Sequence, residues 1–150
     1  MQLVDKLKIA DEMLVAAIDE YLDHKRYIAA SNLACVAEEI YGNAIRIEGG
    51  IDSQTELANV LHRTTSQPDG TRIPVKHWKK IANLTKNSIK HYDSEADRYI
   101  DMEPEEDAKL LIFEAVSNYN KLDRNFSPTV ERFHEFCRKQ VKANLGIESQ

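Results

Sequence analysis

Apolar side chains recur along this chain three and four residues apart and nowhere alternate one by one. A period of about 3.6 residues paints one stripe on a helix, whereas a half-buried strand needs a period of two. Leu3, Leu7, Ala10, Leu14, Ala17, Ile18 and Tyr21 mark one face of a first helix, Leu3 to Leu22. Asp23 to Arg26 interrupt it as a short turn, and Ala29, Leu33, Val36, Ala37, Ile40, Ala44 and Ile47 then resume the spacing. So short a link makes the second helix return antiparallel to the first. Its alanines let a neighbour approach closely, which places it near the centre, and Gly42, costing about 1 kcal/mol against alanine in a helix, marks a close crossing. The reading is all-α: an up-and-down bundle of five or six helices in a single domain, residues 1–150.

Boundary signals divide the remainder. Glu48 to Gly50 end the second helix, and Ser53-Gln54-Thr55-Glu56 matches a capping box that opens a short helix to about Arg63. Thr64 to Pro74 is a loop with a turn at Pro68 to Gly70. Val75 to about His91 reads as a helix with Trp78, Ile81, Ala82, Leu84 or Thr85, and Ile89 inward and its lysines outward. Tyr92 to Met102 is irregular. Pro104 at a first helical position, followed by Glu105, Glu106 and Asp107, suits the positive end of a helix dipole. Ser127-Pro128 repeats the start signal for a last helix that stops near Gly146.

Several classes of function are disfavoured. The N-terminus has acids from Asp5 onward and no long apolar run, so neither a signal peptide nor a membrane span is expected, and the default location is cytoplasmic. A formal charge of −5 argues against a dedicated DNA binder. Cys35 and Cys137 lie among apolar neighbours without ligand spacing and read as buried free thiols. The five glycines form no phosphate loop, the acids no EF-hand, and His24, His62, His77 and His134 no ligand pair, so no cofactor and no metal is expected.

Charge is distributed unevenly around Val75 to Asp93. From Thr71 to Tyr92 stand Arg72, Lys76, Lys79, Lys80, Lys86 and Lys90 with no acid, and from Asp93 to Asp107 eight acids face the single base Arg98. The lysines suit a phosphate backbone, and Tyr92, Tyr99 and Trp78 offer rings on which bases can stack, although Trp78 also suits a core. Within this block Lys86, Asn87 and His91 combine a cation, an amide and an imidazole that exchanges protons near neutral pH, the parts needed to cut a phosphodiester. Asn87 and His91, four apart, share a helix face; Lys86 and His91, five apart, do not unless the helix end bends. Equally, His91 can cap a helix terminus.

Tyr27-Ile28-Ala29-Ala30-Ser31 leading into an alanine-rich second helix, with the late Lys86-Asn87-Ser88-Ile89-Lys90-His91, resembles the HEPN superfamily, the higher-eukaryote and prokaryote nucleotide-binding domains. Many members carry Arg, a polar residue, three more residues and His, and act as metal-independent ribonucleases at the cleft of a homodimer. The resemblance implies Lys86, Asn87 and His91 as catalytic residues, with Lys79, Lys80 and Lys90 holding phosphate and RNA as substrate. Lysine in the arginine position keeps the charge but loses the planar two-pronged donor. Asn87, Lys90 and His91, followed by Asp93, are also similar to bacterial HEPN-like proteins for which the likeness implies a fold and no reaction. Three readings follow: an RNA-directed homodimer, a non-enzymatic helical module that captures another protein, and an acidic loop folded over the basic helix as a structural pairing.

Overall fold

A computed structural model describes residues 1–146, the side chain of Thr85 excepted. Six α-helices lie among them: α1 Lys6–Asp19, α2 Tyr27–Ile47, α3 Ser53–Thr64, α4 Val75–Ser88, α5 Pro104–Lys121 and α6 Pro128–Asn144. A π-helical turn, Glu20–His24, continues α1, and a single 3-10 turn, Glu95–Arg98, lies between α4 and α5. The described residues contain no strand, only one isolated bridge between Ser66 and Arg72. The all-α helical reading therefore holds.

Helix α2 is packed between α1 and α5. Tyr41 donates its hydroxyl to Asp11 in the first half of α1 at 2.7 Å, and Tyr27 meets Tyr21, just past the far end of α1, with ring centroids 5.3 Å apart. These contacts make α1 and α2 antiparallel, as the short link requires. α5 instead runs parallel to α2, with Glu105 beside Tyr27 and Tyr119 against Tyr41, ring centroids 6.0 Å apart. α3 and α4 pair as a hairpin between them in sequence and, with residues 89–103, return the chain to start α5 where α2 starts. Strict alternation of direction is interrupted there. α6 follows the direction of α1, from Val130 beside Leu14 to Phe136 beside Tyr21.

Tyr21, Tyr41, Phe133, Leu14, Ile18 and Ile112 are the large core side chains. Each such burial contributes about 1.5–3 kcal/mol. Ala30, Ala34 and Ala37 are fully buried, and a methyl group on Gly42 would lie 3.4 Å from the Asn118 amide of α5. The expected close crossing is therefore α2 on α5. Cys35 is buried and Cys137 half-buried, both free; burial pushes the Cys35 thiol up to about 11. No described helix is long and apolar enough to cross a membrane.

Local starts differ from expectation in two places. α1 begins at Lys6, where Asp5 accepts from the Leu7 amide at 2.9 Å, and leaves Leu3 exposed. α3 is capped by Asp52, not by Ser53: the Asp52 carboxylate accepts from the Thr55 amide at 3.2 Å and hydroxyl at 2.8 Å. Ser53 is used elsewhere, its amide donating to Asn118 at 2.8 Å and its hydroxyl to the Glu114 carbonyl at 3.0 Å. Pro104 and Ser127-Pro128 open α5 and α6 as expected. Gly49, with φ of 81°, ends α2 in the left-handed conformation.

Replacing a fully buried ring leaves a cavity, so Phe133→Ala lowers the unfolding free energy by ~3–5 kcal/mol. Phe126→Ala, at an exposed ring, changes it by no more than about 0.5 kcal/mol. Urea unfolding monitored by circular dichroism checks both.

Candidate functional site

Lys86 does not point outward with the other lysines of α4. Its ammonium lies 2.9 Å from a carboxylate oxygen of Glu38 on α2 and 2.9 Å from one of Glu114 on α5. The three side chains are 7%, 8% and 16% exposed. Burial by itself would lower the lysine's pKa, but the charges of Glu114 and Glu38 outweigh it and hold it above the ordinary value. Burial raises the Glu114 pKa, an effect that the Lys86 charge only partly opposes. The cation that the resemblance groups with His91 is thus committed to two carboxylates.

α4 ends at Ser88, three residues before His91. The backbone N–H groups of Lys90 and His91 both donate to the Asn87 carbonyl, at 3.0 and 3.2 Å. That tight turn closes the helix through main chain. The imidazole makes no hydrogen bond among the described residues, so the ring does not cap the terminus. Asn87 and His91 do share a cleft of about 440 Å3, open to solvent, between the end of α4 and the 3-10 turn. Asp93, Asp97 and Asp101 line the same cleft, and no lysine or arginine does.

The other candidates are dispersed. Lys79 donates to the Thr55 hydroxyl of α3 at 3.0 Å, and Lys80 is exposed. Lys90 lines a second, polar cleft of about 260 Å3, where Lys86, Arg46 and Glu38 also stand. Asn87 borders both clefts. Ile81, expected inward, is 43% exposed, and Leu84, one of two residues expected at the next inward position, is 54% exposed. Trp78 is half-buried with its indole N–H enclosed and unpartnered.

Among the described residues, no ion pair joins the lysines of α4 to the acids of 93–107. Glu95 pairs with Arg98 at 3.7 Å, and Glu106 with Lys109. Asp97 accepts the amides of Asp93 at 3.1 Å and Ser94 at 2.8 Å. The acidic segment therefore organises itself and does not neutralise the basic helix. Nor do three His, Cys, Asp or Glu side chains converge on a metal position among the described residues. His62 bonds the Ile73 carbonyl at 2.8 Å and ties the loop after α3 to that helix.

The partners of Lys86 escaped the sequence reading, although both left a trace. Glu38 falls beside Ala34, Ala37 and Tyr41, and Glu114 beside Leu111 and Ala115, on faces that are otherwise buried. A carboxylate on such a face must find a donor. Asn118, fully buried, shows the same signature; it accepts from Ser53 at 2.8 Å and donates to the Glu38 carbonyl at 3.4 Å.

Lys86→Met leaves two buried carboxylates facing each other and lowers stability by ~3–5 kcal/mol at neutral pH, whereas Lys86→Met with Glu38→Leu and Glu114→Leu regains most of that loss. The folded-state pKa of Lys86 lies above the ordinary 10.5, so its stabilising charge is intact below about that pH and is lost as pH rises through the folded value. The difference between the native chain and Lys86→Met therefore narrows above pH 10.5. Denaturant midpoints taken across the alkaline range check the trend.

A comparison with family models, curated proteins and solved structures returns no match to this chain.

Proposed function

We propose that the chain is a HEPN-like helical module of the cytoplasm that binds another protein and does not cut RNA. The observation that carries this reading is the Lys86 ammonium, 2.9 Å from both Glu38 and Glu114. A cation held by two carboxylates in a low-dielectric site cannot leave them for a phosphate without exposing a buried negative pair, a loss of several kcal/mol. Two further facts support it. The cleft that holds His91 contributes three aspartates and no lysine or arginine, so an RNA phosphate entering it meets charge of its own sign. Of the exposed bases, Lys76 and Lys80 lie on α4 and Lys90 just past its end, and none of the three lines the cleft that holds His91.

A second reading is favoured by one observation. Asn87 and His91 line one cleft, which keeps an amide and a proton-exchanging ring within the same solvent space. In that reading two copies bring their His91 residues to a common cleft, Lys79, Lys80 and Lys90 hold the RNA backbone, and His91 moves a proton to or from a ribose hydroxyl that Asn87 orients.

RNA incubated with the native protein and with His91→Ala in excess chelator, at about 50 and 300 mM salt, separates them. The expected outcome is intact RNA in every lane. Cleavage by the native protein alone, leaving cyclic phosphate ends, would sink the binding-module reading.

A further inference from the structure

The cleft at the end of α4 has two kinds of wall. Leu84, Tyr99 and Ile100 supply apolar surface and are 54%, 82% and 40% exposed, although each is large enough to bury. Asp93, Asp97 and Asp101 line the same opening. The three acids are not equivalent. Asp97 is spent on the turn, accepting the amides of Asp93 and Ser94 and the Ser94 hydroxyl at 3.1 Å. Asp93 and Asp101 have no ion pair and accept no side-chain hydrogen bond among the described residues.

Charge complementarity narrows the occupant. An apolar floor flanked by unpaired carboxylates suits a side chain that is itself apolar with a cationic neighbour. Tyr99 already shows the preference, since the guanidinium of Arg98 lies over its ring at 5.6 Å from the centroid. Aromatic faces attract such cations electrostatically, and more so when water is excluded. A cleft of about 440 Å3 lies within the ~300–1,000 Å3 range of sites that enclose a small ligand or a few side chains.

We propose that this cleft docks a segment of a partner protein that carries an arginine or lysine beside an apolar anchor, the anchor resting on Leu84 and Ile100 and the cation lying between Tyr99 and the Asp93 and Asp101 carboxylates. This rests on the binding-module reading and names its partner's chemistry. Arg98 is the internal competitor: its guanidinium lies over the Tyr99 ring, where the incoming cation would sit. Its removal therefore strengthens docking, an effect the opposite of what loss of a structural contact produces.

The test uses the full chain and a fluorescent peptide with arginine and leucine at helical spacing, its glutamate-for-arginine counterpart, and spermine. The cationic peptide binds; Asp93→Asn with Asp101→Asn weakens it about tenfold, equivalent to about 1.4 kcal/mol. Arg98→Ala tightens it, salt weakens it, and the methyl resonances of Leu84 and Ile100 shift on titration. The proposal is overturned by absence of binding, by equal binding of the acidic peptide, or by indifference to the double aspartate change. Spermine binding as tightly as the peptide would overturn the apolar anchor, and self-association abolished by the same double change would assign the cleft to a second copy instead. Failure here with RNA left intact removes this occupant and spares the module reading, whereas His91-dependent cleavage removes the module reading itself.

Discussion

The ammonium of Lys86 lies between two carboxylates that come from different helices, and through it α4 is joined to both α2 and α5. Among the described side chains of α4, Lys86 alone is buried. α4 therefore offers the bundle a charge where α1, α2 and α5 offer apolar stripes. Attraction at 2.9 Å is strong in a poorly polarisable surround, but desolvation of three ionised groups offsets much of it. The net gain is in position more than in free energy: an ion pair with two fixed acceptors tolerates little displacement, and so it sets which face of α4 turns inward.

Around that point the polar contacts form a connected set. Asn118 of α5 joins the Ser53 amide at the start of α3 to the Glu38 carbonyl of α2. Asp52, side chain 1% exposed, pairs with Arg46 at 2.7 Å while it caps α3. Gln54 of α3 donates to Asn83 of α4 at 2.9 Å. Each bond satisfies a group that would otherwise be buried without a partner. The result is a polar seam down one side of an aromatic and alanine-rich core, and both clefts adjoin α4, the helix anchored there.

Much of the fold was legible in the residues. The alanines and Gly42 of α2 announced a close crossing, Pro104 with its acids announced the start of α5, and Gly49 the end of α2, because each of these signals acts within a few residues of itself. The site was less legible. Periodicity assigned Lys86 outward because lysine is seldom buried, and it assigned Ile81 inward because it is apolar; the structure reverses both, while Trp78 and Ala82 are half-buried on the expected side. Ser53 looked like a cap, yet Asp52 one residue earlier holds the position and frees the serine for α5. A local pattern scores each residue by its own preference, whereas the pairing of Lys86 with residues 48 and 28 positions away is decided by which helices meet.

By itself the sequence determined an all-α chain, its helix order and most of its boundaries, since helical periodicity and terminal signals are short-range. Tertiary structure decided that α2 and α5 run parallel, that Lys86 is enclosed while Leu84 is not, and that His91 stands among aspartates instead of lysines. The physical reason is that a charge is buried only where its opposite is brought to it, and no residue carries that information alone.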